Sequence, residues 1–189
     1  MKTRAPVKLE DRLVYGEVME GLLQHGLRGQ VSLRLRERLR QLGMNVDQPP
    51  SSFPVLQWLQ CLRVIVEETF PGIPTEEGFR RLARQHVEGY SRTLLGRATI
   101  RVMRLLGPRR MVLRLPNVLG STDNYTTGVV VERGPSTFEL AINSSLQPPG
   151  YTESLLETLL AGCGAEEPHV KVLQSSEDST TYQLTWKER

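Results

Sequence analysis

The sequence predicts an α+β fold in which a helical N-terminal layer packs on a four-stranded antiparallel ββαββ sheet. Up to Pro116, apolar residues recur three and four positions apart, which is typical of helices that bury one side. After Pro116 they alternate with polar residues, and β-branched residues become frequent, which indicates strands. We therefore expect residues 1–189 to form a single domain, with a helical layer over 1–116 and a ββαββ layer over 117–189.

The longest predicted element is one helix from Thr75 to Leu106, bent near its middle and ended by Gly107-Pro108. Its apolar stripe consists of Phe79, Leu82, His86, Tyr90, Thr93 and Leu94. Gly89 and Gly96 lie two turns apart, and a helical glycine costs about 0.5–1 kcal/mol relative to alanine. Such a cost indicates the close approach of another element, either a packed helix or a ligand. The candidate groove residues are His86, Gly89, Tyr90, Thr93 and Gly96.

Shorter helices are predicted on both sides of this long helix. Residues 13–27 form a helix or a short strand that leads into one, and residues 30–42 form a basic helix. A further helix begins at Pro54 and ends before Pro71. Residues 111–115 form a short helix that Pro116 closes.

The C-terminal part is predicted to form two hairpins joined by a helix. Residues 125–133 and 137–142 alternate around a Gly134-Pro135 turn, and two further strands surround a polar turn at 175–179. A leucine-rich helix over 151–163 lies between the two pairs of strands. The resulting order, strand-strand-helix-strand-strand, favours an antiparallel sheet with helices on one face.

Charge is distributed unevenly along the chain. Residues 1–116 hold 20 basic and 11 acidic residues, whereas residues 117–189 hold 4 basic and 10 acidic residues, within a total net charge of +3. The two halves can therefore attract each other, or the first half can attract an acidic partner. Cys61 and Cys163 are far apart in sequence and are expected to be reduced, buried thiols, which with the absence of a secretory signal favours the cytoplasm. No apolar run is long enough for a transmembrane segment.

Several short motifs resemble those of a large myxobacterial family of paralogous proteins, roughly 180–200 residues long, whose function is not established. The motifs are Tyr15-Gly16, Glu20-Gly21-Leu22-Leu23, Phe70-Pro71-Gly72-Ile73-Pro74, Val87-Glu88-Gly89-Tyr90, Thr93-Leu94-Leu95-Gly96-Arg97, Leu106-Gly107-Pro108-Arg109-Arg110 and Asp123-Asn124-Tyr125-Thr126. The resemblance covers nearly the whole chain. It implies the family's fold and brings no catalytic residues.

A looser resemblance rests on the order of elements alone. A helical first half followed by strand-strand-helix-strand-strand is similar to vinyl-reductase small-molecule-binding domains, TRAPP subunits and haem-nitric-oxide sensors. That likeness implies ligand or partner binding around the helical layer and is an analogy of fold. The Tyr-x-Ser-x-Arg pattern of the haem sensors is absent, because Ser91-Arg92 follows Tyr90 directly.

Metal and catalytic motifs are missing from the sequence. The three histidines and two cysteines show no CxxC, HxxxH or HExxH spacing, and no Gly-x-Ser-x-Gly, P-loop or GxGxxG motif occurs. We therefore expect no metal site, no cofactor and no enzymatic activity. His86 lies on the predicted apolar stripe, where it either hydrogen-bonds a carbonyl or hydroxyl in the core or contacts a haem or other ligand.

Two polar regions are candidates for contacts with a partner. Arg97, Arg101 and Arg104 share one side of the long helix, and Arg109 and Arg110 extend this basic patch. These arginines are solvated or paired within the chain, or they bind an acidic protein; nucleic acid is disfavoured because stacking aromatics are missing nearby. The polar loop with Asp123, Asn124 and Tyr125 forms a hydrogen-bonded turn or the edge of a ligand or partner site.

Two functional hypotheses remain from the sequence. The first is a non-enzymatic, regulatory module that binds a small apolar ligand or a protein in the groove near Gly89. The second is a homodimer with a structural or regulatory role that needs no small ligand. The ligand, the partner and the oligomeric state are not encoded in any recognisable motif.

Overall fold

A computed structural model describes residues 6–187. A short strand, β1 (Leu13–Tyr15), leads into α1 (Gly16–Glu20), which continues as a π-helix (Gly21–Gly26). The helical layer then contains α2 (Leu33–Gln41), strand β2 (Ser52–Pro54), α3 (Val55–Thr69), α4 (Thr75–Tyr90), α5 (Leu94–Val112) and α6 (Leu115–Leu119). The remainder is β3 (Gly128–Gly134), β4 (Thr137–Ile142), α7 (Tyr151–Gly162), β5 (Glu166–Ser175) and β6 (Thr180–Lys187).

The predicted α+β class and the ββαββ order are confirmed. The four C-terminal strands form one antiparallel sheet in the order β3-β4-β6-β5. The inner side chains of β4 and β6, among them Phe138, Leu140 and Leu184, are fully buried. Helix α7 packs beside β5 and also contacts α4, so it links the sheet to the helical layer.

The single helix predicted from Thr75 to Leu106 is wrong, because the chain forms two helices there. Helix α4 ends at Tyr90, and Thr93 caps the start of α5 by accepting a hydrogen bond from the Gly96 amide at 3.0 Å. A threonine hydroxyl at this position satisfies an amide that an unbroken helix would bond to its own backbone. The prediction that Thr93 belongs to one continuous apolar stripe did not include this capping role.

The predicted helix end is confirmed at Gly107-Pro108 and is wrong at Pro116. The helical run stops before Gly107, as predicted, because that residue has φ = 74°, and a second short run then continues α5 to Val112. Pro116 does not close a helix; it lies in the first turn of α6, where a missing amide hydrogen costs little.

The interior consists of two clusters of buried side chains. One fills the helical layer and includes Met19, Leu22 and Leu62, and the other lies between the sheet, α5, α6 and α7. Both cysteines are buried and unpaired, and burial raises the pKa of the Cys61 thiol to about 12. Among residues 6–187, no helix combines the length and low polarity that a bilayer crossing requires.

Strand β1 connects the helical layer to the loop before β3. β1 pairs with β2 on one side and with the loop Thr122–Asn124 on the other, where the Tyr15 amide donates to the Thr122 carbonyl at 2.9 Å. Asn124 adds side-chain bonds, accepting from the Leu13 amide at 2.8 Å and donating to the Asp11 carbonyl at 2.9 Å. The two-stranded sheet and the loop bonded to it form one wall of the site described next.

Candidate ligand-binding site

A cavity of about 150 Å³ lies where the two clusters of buried side chains meet. From the helical cluster come Val14, Val55, Trp58, Tyr125 and Tyr151, and from the sheet cluster come Ile100, Met103, Ile142 and Leu159. Most of the lining is apolar, and a few polar groups from α4, α7 and the loop before β3 also reach it. A mostly apolar pocket with a small number of convergent polar groups is typical of small-molecule sites.

His86 is the central polar side chain of this cavity, and both of its ring nitrogens are engaged. Nε2 lies 2.9 Å from the Val18 carbonyl oxygen, and Nδ1 contacts the hydroxyl of Tyr151. A carbonyl can only accept, so Nε2 carries the proton and Tyr151 donates to Nδ1. Burial lowers the pKa of His86 to about 4, although the bond to Val18 opposes this shift, so the ring is neutral at pH 7.

Aromatic side chains surround His86 on two sides. Trp58 packs edge-on against it with ring centroids 6.4 Å apart, and the Tyr151 ring lies at 6.1 Å. Burial raises the pKa of Tyr151, of Tyr125 and of Tyr90. These phenols therefore stay protonated and offer hydroxyl groups rather than charges.

Asp123 holds the loop that closes the cavity. Its carboxylate accepts from the Tyr125 amide at 2.9 Å, from the Thr126 amide at 2.6 Å and from the Thr126 hydroxyl at 2.6 Å. Tyr125 is buried, and the Arg12 guanidinium lies 5.1 Å from the centre of its ring. The predicted polar loop is thus a hydrogen-bonded turn, and Asp123 and Tyr125 also line the cavity while Asn124 bonds β1.

The groove residues predicted from the sequence do not all face this cavity. His86 and Tyr90 line it, whereas the other three contact neighbouring segments of the chain or cap a helix. Gly89 packs against the backbone of Gly21 and Gly26 in the π-helix, and Gly96 packs against the carbonyl of Tyr90. Thr93 caps α5. Gly89 and Gly96 therefore mark positions where one backbone segment packs closely on another.

Most of the predicted basic patch is exposed on α5, away from the cavity. Arg97, Arg101, Arg104 and Arg110 have no ion-pair partner within residues 6–187, whereas Arg109 pairs with Glu132 at 2.9 Å. Exposed apolar side chains lie beside them; Leu94 and Leu105 are both 82% exposed. Helix α5 therefore turns Ile100 and Met103 toward the cavity and a mixed arginine-leucine surface toward solvent.

Three important lining residues were missed by the sequence analysis, namely Trp58, Met103 and Tyr151. Trp58 lies in the helix predicted to begin at Pro54, and Tyr151 is the first residue of the helix predicted over 151–163, but neither pattern assigns a role to these side chains. The Pro-Pro-Gly segment directly before Tyr151 restricts the backbone that leads into this helix. It does not indicate which other helix the tyrosine contacts. Contacts between residues 65 positions apart, such as His86 with Tyr151, are not visible in local periodicity.

The fold is similar to that of solved H-NOX domains. A single-substitution variant of Tt H-NOX superimposes with a TM-score of 0.71 at 14% identity, over 92% of this chain and 95% of that chain. An oxygen-binding H-NOX domain related to soluble guanylate cyclases, solved as its oxygen complex, gives a TM-score of 0.70 at 15% identity over the same fractions. A further H-NOX structure, concerned with heme distortion, gives 0.60 at 16% identity, over 92% of this chain and 95% of that chain. At such identities the likeness establishes the fold alone.

Sequence comparison places the chain in a family without a known activity. A family model described as a protein of unknown function (DUF2378) matches residues 12–187, so the chain belongs to that family. No curated protein matches the sequence.

The residues that line the cavity do not fit a haem. Haem iron needs an axial ligand such as His, Cys or Tyr, and His86 is the cavity's one histidine among the residues described. Its Nε2 carries a proton bonded to Val18, and its Nδ1 lone pair accepts from Tyr151, so neither nitrogen is free. The raised pKa values of the lining tyrosines oppose a tyrosinate ligand. A volume of about 150 Å³ also suits a much smaller, benzene-sized molecule.

Proposed function

We propose that the protein is a non-enzymatic regulatory module that binds a small apolar ligand in the cavity between its helical layer and its sheet. The cavity itself carries this proposal, because a mostly apolar pocket of about 150 Å³ with a few convergent polar groups is typical of small-molecule sites. Its lining histidine and aspartate, His86 and Asp123, are both committed to bonds that hold the fold. This supports binding rather than acid-base chemistry.

The location of the cavity supports a regulatory role. Its walls come from α3, α4, α5, α7 and the loop before β3, so an occupant would touch both clusters of buried side chains. A ligand that binds the folded state alone stabilises it by mass action, and one that favours one packing of the two layers shifts their arrangement. The likeness to H-NOX domains, among them an oxygen-binding one, is in line with ligand sensing, with a different ligand chemistry here.

Val87→Phe is expected to weaken binding of a small aromatic probe such as toluene by at least about tenfold, equal to about 1.4 kcal/mol. Val87 lines the cavity, so the larger ring would occupy the ligand's volume. Binding would be measured through the fluorescence of Trp58 and the shift of the thermal midpoint with added probe. Val131→Phe, on the exposed side of β3, is the matched control and should leave affinity unchanged. No binding by the unmodified protein would contradict the proposal.

A second candidate function is docking of an acidic protein on α5. The arginine-leucine surface formed by Leu94, Arg97, Arg101, Arg104 and Leu105 is exposed, and its arginines lack ion-pair partners within residues 6–187. A two-fold dimer through this surface would place each arginine cluster against its own copy, which is unfavourable. This surface therefore favours a partner of opposite charge over the homodimer that is the second hypothesis from the sequence.

Arg101→Glu is expected to weaken binding of an acidic, leucine-containing helical peptide about three- to tenfold at low salt, because exposed charge pairs contribute about 0.2–1 kcal/mol each and a reversal adds repulsion. Arg28→Glu, an equal charge change at an exposed site outside α5, is the control. An equal loss of affinity in both variants would mean that the peptide responds to the net charge of the protein and does not bind at α5. Sedimentation of the protein without peptide should report a monomer.

A further inference from the structure

One side of helix α3 connects the cavity to a groove on the surface. Val55, Trp58 and Leu59 line the cavity, and Leu59, Arg63, Val66 and Phe70 line the groove. These positions are three and four residues apart, so they form one continuous stripe of the helix. The two spaces therefore lie end to end along α3 and share Leu59.

The opposite wall is also shared. The segment before α7 supplies Leu146, Gln147 and two prolines to the groove, and Gln147 lines the cavity as well. Within residues 6–187, the Gln147 side chain has no hydrogen-bond partner. Leu59 and Gln147 therefore lie between the two spaces, one with an apolar side chain and the other with an amide available to an occupant.

The lining of the groove is mostly apolar and contains two charged side chains. Arg63 and Glu67 are the two charged residues that line it. Glu67 accepts a hydrogen bond from Arg38 at 2.8 Å, so its charge is compensated. Arg63 is exposed and has no carboxylate partner in the part of the chain that the structure describes. The uncompensated charge in the groove is therefore positive.

Resting on the proposed function, we propose that the natural ligand is an unbranched anionic amphiphile of the fatty-acid class. Its hydrocarbon tail would occupy the cavity beside Trp58, it would pass between Leu59 and Gln147, and its carboxylate would bind Arg63. At about 1.5 Å per residue, the step from Val55 to Arg63 spans about 12 Å, which a tail of medium length can cover. An arginine beside an apolar tract provides the paired donors that a carboxylate accepts.

The test compares decanoate with decan-1-ol, which share the tail and differ in the head group. In the unmodified protein, decanoate should bind about tenfold more tightly than decanol, as measured by calorimetry and by the fluorescence of Trp58. Trp186 stacks on Phe138 with centroids 5.4 Å apart and does not line the cavity, so its emission should stay constant.

Arg63→Gln should remove the preference for decanoate and leave decanol binding unchanged, whereas Arg63→Lys should retain part of the preference. Arg28→Gln is the control for general charge and should behave like the unmodified protein. Equal affinity for both probes in the unmodified protein would overturn the role of Arg63 and leave the apolar cavity as a binding site. No response of Trp58 to either probe would overturn both proposals.

Discussion

Gly89→Ala is expected to lower the free energy of unfolding by about 3 kcal/mol, which for a chain of this size is about 6–12 °C in the midpoint of thermal unfolding. An added Cβ would lie 2.5 Å from the amide nitrogen of Gly26 and closer still to the carbonyl oxygen of Gly21. Both contacts are with backbone, so no side chain can rotate away. The π-helix and α4 would have to separate, and the small gain in helix propensity does not offset this.

Gly162→Ala is the matched control for this substitution. Gly162 also lies in a helix, α7, but an added Cβ there would meet nothing within 4 Å. We expect the free energy of unfolding to stay the same or to rise by up to about 1 kcal/mol, because alanine restricts the unfolded chain and favours the helix. Chemical denaturation of both variants gives the comparison. A loss of less than about 1 kcal/mol in Gly89→Ala would contradict the close packing of α4 on the π-helix.

The free energy of unfolding is expected to fall by about 3 kcal/mol between pH 7 and pH 4 because of His86 alone. Burial lowers the pKa of the folded-state imidazole to about 4, from an ordinary value of 6.5. Between these values the unfolded chain takes up a proton that the folded protein does not, so acid favours unfolding. Well above pH 6.5 this contribution is constant, and well below pH 4 no further loss arises from this residue.

His86→Gln isolates that contribution from those of the acidic side chains. Glutamine cannot titrate, and its amide can still donate to the Val18 carbonyl and accept from Tyr151. The variant should show a shallower fall of the free energy of unfolding from pH 6.5 to pH 4, as measured by urea denaturation at several pH values. Carboxylates with lowered pKa values, such as Glu77 and Glu139, contribute to both proteins equally and cancel. Parallel curves would show that the folded-state pKa of His86 is close to its ordinary value.

Much of the fold was predictable because its strongest signals are local. Alternation located β4 and β6, helical spacing located α3, α4 and α7, and prolines and glycines gave most of their ends. The break between α4 and α5 was not predicted, because Thr93 has the spacing of an apolar-stripe residue and its role as a cap depends on the backbone it meets. Residues 13–27 were predicted as a helix or as a short strand that leads into one, and the structure has the second form, with the three-residue strand β1 before α1.

The candidate site was predictable only in part, because a cavity is a property of elements that meet through packing. His86 and Tyr90 were found from their position on one stripe, and Asp123 and Tyr125 from turn chemistry. Gly89 and Gly96 correctly indicated that another group packs closely against the helix. The sequence does not tell whether that group is backbone or a ligand. The wall from α7 was missed since nothing local joins Tyr151 to His86.

The pairing of β1 with the loop at 122–124 has a consequence for how the chain folds. The Leu13 amide and the Asn124 side chain that bonds it are 111 positions apart, so this contact closes most of the polypeptide into one loop. During synthesis, the N-terminal segment cannot complete its hydrogen bonding until Asn124 has left the ribosome. Such long-range contacts slow folding, so assembly of β1 should be a late event that follows formation of the local helices.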